Sequence, residues 1–201
     1  MSGFLKRLLL VLVLAAGVAA ALLLWMSPDP RYTLQAWRSG SQFWKFDPLI
    51  VDAATRHGLD PMLIKAVVWR ESTFEPDKVG TSGERGLMQV GEAAARDWAL
   101  AEKMETFVPT DLFDAKTNIE VGTWYLKKAL DRWSSKAEPV PFALAEYNAG
   151  RTRVDRWVAA TNRAEAASAA DLVAAMDFPT TRRYIEEITR RYRFYQAQGR
   201  L

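Results

Sequence analysis

Most of the chain carries apolar residues at helical spacing, and no stretch alternates strongly enough to read as a strand. The first such stretch is apolar all round. Leu8 to Met26 holds no charge and follows Lys6 and Arg7. As a helix it is about 28 Å long, close to the ~30 Å hydrocarbon core of a bilayer. That length favours an uncleaved anchor, since a cleavable signal usually has an apolar region of ~7–15 residues. Trp25 suits an interfacial position, while the small residues Ala15 to Ala21 keep cleavage open. The positive flank places the N-terminus in the cytoplasm and the rest outside it. Ser27-Pro28-Asp29-Pro30 reads as a short stiff linker. Residues 31–47, with Trp37, Phe43, Trp44 and Phe46, read either as an aromatic juxtamembrane segment or as a helix packed on the domain, and residues 48–201 form the folded domain.

Within that domain, Asp47-Pro48 starts a helix that runs to about Arg56 and closes at Gly58. The next helix is central. Asp60 is a good N-cap and Pro61 a good first helical residue. At about 100° per residue, Leu63, Ile64, Val67 and Val68 fall at roughly 0°, 100°, 40° and 140°, and Glu71 at roughly 80°. The Glu71 carboxylate thus lies along the middle of an apolar stripe. Met62, Ala66 and Trp69 make a second apolar face, and only Lys65 and Arg70 interrupt the cylinder. Two readings of Glu71 stand side by side. Burial and the negative end of the helix would both raise its pKa and suit it to general acid work. Alternatively, a frayed helix end turns it to water.

Pro76 forbids further helix, and Gly80 to Gly86 is a loop with three glycines. Those glycines lack the Lys and the preceding strand of a phosphate-binding loop. Glu92 to Ala101 is helical by propensity. Asp114 or Thr117 opens an amphipathic helix carrying Ile119, Gly122, Leu126, Ala129, Leu130 and Trp133. Pro141 to Asn148 is a short helix that Gly150 ends. Val154, Trp157 and Val158 form one more stripe, Thr161 to Ala170 is poor in large apolar residues, and a last helix runs from about Thr180 to Gln196. Ile185, Ile188, Tyr192 and Tyr195 share its buried side.

Composition removes several function classes. With no Cys there is no disulfide framework, thiol nucleophile or lipoprotein anchor. The single His57 reads as a helix-end residue, and no carboxylate cluster replaces the missing metal ligands, so neither metal nor cofactor is expected. A formal charge of +3 is too mild to argue for nucleic acid, and no basic stripe with interleaved aromatics appears.

The block from Glu71 to Gln89 resembles the lysozyme-like lytic transglycosylases of the soluble type. Their pattern is E-S-x-F-x-P, a short loop with a serine, then G-L-M-Q, carried here by Glu71, Ser72, Phe74, Pro76, Ser82, Gly86, Leu87, Met88 and Gln89. Asn118-Ile119-Glu120-Val121-Gly122 with Tyr125-Leu126 is similar to the family's N-I-x-x-G-x-x-Y-L stretch, Ala145 to Gly150 to its A-Y-N-A-G box, and Thr181 to Ile185 to its E-T-R-x-Y-V ending. Thr180 stands where the family has Glu, and Glu146 where small residues are more usual; a solvent-facing charge is the favoured reading of Glu146 over a second cleft carboxylate.

The resemblance implies a mainly α, lysozyme-like domain whose central helix carries the catalytic Glu, behind an N-terminal transmembrane helix. It implies cleavage of the β-1,4 bond between N-acetylmuramic acid and N-acetylglucosamine in peptidoglycan, on the periplasmic side of a bacterial inner membrane that residues 8–26 cross once. An envelope protein complex is a further implied partner. Glu71 would act as acid and then base, giving a 1,6-anhydro product. Ser82, Tyr147 and Tyr184 would support it, and Met88, Gln89 and Asn148 would bind the sugar. Gly122 would allow close helix approach, and Asn118 would hold the preceding loop. The alternatives are a goose-type-lysozyme-like hydrolase, which needs a base such as Glu146 or Asp97, and a non-catalytic peptidoglycan-binding scaffold.

Overall fold

The computed structural model describes residues 3–26, 30, 33–34, 40, 42–161, 163–199 and 201. Residues 27–29 of the expected linker, and residues 31, 32, 35–39 and 41 of the aromatic segment, Trp37 included, lie outside them. The chain divides into two compact units, Met1–Phe43 and Trp44–Leu201.

The first unit contains helix α1, Gly3–Met26. The stretch Gly3–Leu22 is long and apolar enough to cross a membrane, and none of it is buried within the protein.

The second unit is built from helices α2 (Asp47–His57), α3 (Pro61–Ser72), α4 (Glu92–Ala101), α5 (Ala115–Arg132), α6 (Pro139–Ala149), α7 (Arg151–Ala159), α8 (Ala169–Ala175) and α9 (Pro179–Gln198). A 3-10 turn at Pro109–Phe113 precedes α5. Among the described residues, β structure is confined to isolated bridges that join Arg85 to Val79 and to Val90.

Local chemistry sets the helix ends. The Asp60 side chain accepts the Met62 N–H at 2.9 Å and caps α3, with Pro61 next. Asp114 caps α5 in the same way through Thr117, so the helix starts at the earlier of its two candidate positions. Gly58, with φ +65°, closes α2 in the left-handed conformation that glycine adopts without strain. Helix α8 falls inside a stretch that the apolar pattern leaves unassigned. Its signal is the capping box of Ser168 and Asp171, which satisfies both ends of its first turn.

Two helices form the core. Helix α3 packs on α2 and α9, while α6 packs on α5, α7 and α9. Leu63, Ile64, Ala66, Val67 and Val68 of α3 are buried, as are Phe142, Ala143, Leu144 and Ala145 of α6. Each large apolar side chain so placed contributes ~1.5–3 kcal/mol relative to exposure.

Three side chains depart from the apolar pattern. Lys65, expected to interrupt the α3 surface, is fully buried. Its Nζ pairs with Asp47 at 2.7 Å and lies 4.6 Å from the centre of the Trp44 ring. Burial pushes the Asp47 carboxyl up and the Lys65 amine down, each only partly offset by the other's charge. Glu146, expected to face solvent, is also buried. It ion-pairs with Arg132 and accepts the Trp133 indole N–H at 2.8 Å. The partners lie 13 and 14 residues earlier in the chain, beyond the reach of helical periodicity. His57 pairs through Nε2 with Glu120 Oε1 at 2.7 Å rather than serving as a cap.

Candidate active site

Glu71 lies in the last turn of α3, and the chain leaves that helix under strain. Thr73 and Phe74 both hold positive φ, 54° and 63°, and Gln89 at the far end of the loop holds 47°. Left-handed backbone costs a non-glycine residue roughly 1–2 kcal/mol, and a β-branched residue such as Thr rarely adopts it. Such outliers concentrate at functional sites. Here they bracket the loop that follows Glu71.

That loop is tied internally and to α5. Gly86 N–H donates to Lys78 O at 2.8 Å, and Arg85 and Val90 exchange backbone bonds at 3.0 Å. Lys78 Nζ donates to the Glu71 carbonyl, which joins loop and helix end. Asn118 of α5 is fully buried and uses both ends of its amide. It accepts the Met88 N–H and donates to Arg85 O and Leu112 O, each at 2.7 Å. The approach is close because glycines permit it. A Cβ on Gly86 would stand 2.2 Å from Asn118 Nδ2, and one on Gly122 2.6 Å from Met88 Sδ.

The Glu71 carboxyl is partly buried, and the Tyr184 hydroxyl of α9 donates to its Oε1 at 2.5 Å. Tyr184 is itself buried, and its ring lies under the Arg70 guanidinium at 5.4 Å. Burial pushes the Glu71 pKa up to about 7. The Tyr184 hydrogen bond and the charges of Arg70 and Lys78 pull it down, and the negative charge of Glu84 adds to the rise. Burial and the proximity of Glu71 hold the Tyr147 and Tyr184 hydroxyls far above their ordinary range, so both remain donors. A carboxyl poised near neutrality can give a proton and take one back within a single turnover.

The other expected site residues are placed unequally. Tyr147 stacks edge-on against Tyr125 at 5.7 Å, and its hydroxyl donates to the Met88 carbonyl at 2.9 Å, not to Glu71. The Met88 side chain, expected in the cleft, is fully buried under α5 between Gly122 and Thr123; the close approach at Gly122 draws it inward. Gln89 spends its amide N–H groups on Lys78 O and Gly86 O, at 3.1 and 3.0 Å, so it braces the loop. Asn148 is exposed, with its Oδ1 held by the Thr181 hydroxyl at 2.8 Å. Ser82, expected at the carboxyl, is exposed on the loop, and its N–H donates to Glu84 Oε2 at 3.1 Å. Among the described residues no hydrogen bond joins the Ser82 side chain to Glu71. Gly80 N–H donates to Glu84 O at 2.7 Å, closing the turn that carries Ser82.

A hollow of about 270 Å³ is lined by Glu84, Gln89, Val90, Ala94, Tyr125 and Tyr147 among others; Glu71 does not line it, but the charge of Glu84 bears on Glu71 and that of Glu71 on Tyr147. Two larger grooves, of about 480 and 540 Å³, contain neither Tyr147 nor any residue of the loop that follows Glu71, so volume alone does not pick the site. Glu84 is the functional candidate that the sequence pattern passed over. It sits among glycines in a loop, where neither periodicity nor motif marks it.

Residues 48–169 match the family model described as the Transglycosylase SLT domain. The chain is 38% identical over 109 residues to membrane-bound lytic murein transglycosylase F of Desulfosudis oleivorans, covering 53% of this chain and 22% of that protein. It is 39% identical over 84 residues to membrane-bound lytic murein transglycosylase C of Photorhabdus laumondii subsp. laumondii, covering 41% of this chain and 24% of that one. The chain therefore spans less than a quarter of the length of either relative. Among solved structures, the 70 kDa soluble lytic transglycosylase from Escherichia coli aligns with a TM-score of 0.66 at 24% identity, over 75% of this chain and 24% of that one. A complex of a 70 kDa soluble lytic transglycosylase with bulgecin A aligns with a TM-score of 0.71 at 23% identity, over 82% of this chain and 26% of that one. Those likenesses show the fold, which is the helical, lysozyme-like one expected. With the family model matched across more than half of its length, this chain belongs to the Transglycosylase SLT domain family.

Proposed function

We propose that this chain is a membrane-anchored lytic transglycosylase that cleaves the β-1,4 bond between N-acetylmuramic acid and N-acetylglucosamine in peptidoglycan. The observation that carries the reading is the Glu71 carboxyl, raised to a pKa of about 7 and held by the Tyr184 hydroxyl at 2.5 Å. Family membership and the relatives named as lytic murein transglycosylases support the substrate class.

Glu71 protonates the leaving oxygen of the glycosidic bond. The N-acetyl group of the muramic residue assists at C1 from within the substrate, the role a second carboxylate plays in most glycosidases. Glu71, now ionised, takes the proton of the C6 hydroxyl as that oxygen bonds to C1. The product is a 1,6-anhydro sugar, and no water is consumed. Tyr184 stabilises the ionised carboxylate between the two proton transfers. Tyr147 holds the Met88 carbonyl and so the wall of the site. Gln89 and Ser82 act through the loop, while Asn148, exposed and steadied by Thr181, offers its amide to the sugar.

The hydrolytic alternative needs a base to hold water. Of its two candidates, Glu146 is engaged with Arg132 and Trp133, and Asp97 is exposed on α4. That disfavours it.

Residues 8–26 anchor the protein in the inner membrane by a single pass, with the domain on the periplasmic side; Lys6 and Arg7 on the N-terminal flank support that orientation. An envelope protein complex is a partner consistent with that location.

Digestion of purified sacculi by the full chain in detergent, with mass spectrometry of the released fragments, tests the reading. Anhydro ends are expected. Reducing ends would replace it with hydrolysis, and no release would leave a binding scaffold.

A further inference from the structure

Glu84 has a position that the proposed reaction does not use. Its Oε2 accepts the Ser82 N–H, and its backbone carbonyl accepts the Gly80 N–H. The side chain folds over Gly80, where a Cβ would stand 2.4 Å from Glu84 Oε2 and 2.8 Å from Gln89 Oε1. A bare glycine thus leaves the room that the ends of both side chains, a carboxylate and an amide oxygen, occupy. Both residues line one hollow together with Tyr125 and Tyr147, and the charge of Glu84 bears on Glu71. Among the described residues, Glu84 Oε1 accepts no hydrogen bond and forms no close ion pair.

We infer that Glu84 is a substrate-binding residue of this site, its carboxylate taking a hydroxyl or amide N–H of the N-acetylhexosamine ring in the hollow that Glu84, Gln89, Tyr125 and Tyr147 line. A carboxylate paired with an amide oxygen presents acceptors only, so it demands a donor face from the ligand. Sugar hydroxyls and acetamido N–H groups supply one. The free carboxylate of an unsubstituted lactyl group is repelled, so the hollow selects the ring that lacks it. The same charge acts on Glu71. The groups that bear on Glu71 are Tyr184 from α9, Tyr147 from α6, Arg70 from its own helix, and Lys78 and Glu84 from the loop; of these, Glu84 alone is anionic.

The inference rests on the proposed reading of the site, but binding separates the two. The test titrates the full chain in detergent with triacetylchitotriose, for the wild type and for Glu84→Gln and Gly80→Ala. Gly80 has no left-handed φ, and its new Cβ meets chiefly the far ends of two flexible side chains, so Gly80→Ala moves the carboxylate while keeping the fold. Both variants are expected to bind about fivefold more weakly, the worth of one hydrogen bond. On glycan strands, the basic limb of kcat/KM for Glu84→Gln is expected to move down by roughly half a pH unit, because removal of a negative charge eases the ionisation of Glu71. Unchanged affinity in both variants would overturn the inference. So would a change from reducing to anhydro ends in Glu84→Gln, which would make Glu84 the base for water. A wild type that binds the trisaccharide but releases nothing from sacculi would sink the proposed function and leave the binding role standing.

Discussion

Tyr184 and Glu71 lie 113 residues apart in sequence and 2.5 Å apart in the fold, with the tyrosine hydroxyl donating to the carboxyl. The bond favours the ionised form, while burial of the same carboxyl disfavours it. Their balance leaves the acid near neutrality.

Removing the hydroxyl upsets that balance in one direction. Tyr184→Phe takes away a hydrogen bond to a charged group, worth ~1.5–3 kcal/mol. The kcat is expected to fall about ten- to a hundredfold. The basic limb of the pH–rate profile should move to higher pH, opposite to the shift expected for Glu84→Gln. A profile measured between pH 5 and 9 checks both.

Glu71→Gln is expected to abolish turnover and to change how stability depends on pH. Below pH 4.5 the carboxyl is protonated in folded and unfolded chains alike. Between 4.5 and about 7 the folded protein keeps a proton that the unfolded chain has released, so this group makes stability fall as pH rises through that window. The loss is about 3 kcal/mol at most and is constant above it. Glutamine has no such dependence. Thermal melts should therefore show the Tm advantage of the variant growing from pH 5 to pH 8. A constant difference would mean that Glu71 titrates normally.

Asn118 predicts a structural effect that reaches the site. Asn118→Ala leaves the Met88 N–H and the Arg85 and Leu112 carbonyls without their partner in a buried setting. The expected loss is ~2–4 kcal/mol, which lowers Tm by roughly 5–15 °C. Hydrogen exchange should show the Met88 amide losing protection first.

The Lys65–Asp47 pair supplies a separate check on the core. Lys65→Met strands a half-buried carboxylate, and a loss of about 3–5 kcal/mol is expected. Adding Asp47→Asn should recover much of it, because the desolvation penalty then disappears on both sides. Denaturant melts of the two variants read the difference.

Much of the helical framework was legible because its signals are local. Asp60-Pro61, Asp114 and Gly58 start or stop helices through bonds that span only a few residues. Ile185, Ile188 and Tyr195 are buried where the helical period of α9 puts them, while Tyr192 on the same side stays half-buried because its hydroxyl reaches Asp60 at 2.7 Å. Within the site, Glu71 was legible for the same reason, as a carboxylate on an apolar stripe. Ser82 and Glu84 were not: they lie two residues apart in one glycine loop, and only the fold of that loop decides which faces the hollow.

Spacing and capping chemistry alone determined that the chain has an apolar N-terminal run, a helical domain, and an acid at the end of a central helix. The period of the backbone and the reach of a capping side chain are properties of neighbours in sequence. Tertiary structure alone decided that Lys65 and Glu146 are buried, that Met88 turns inward, and that Thr73 and Phe74 are strained. Each of those depends on what another helix or loop places opposite, and burial and charge are settled by that partner.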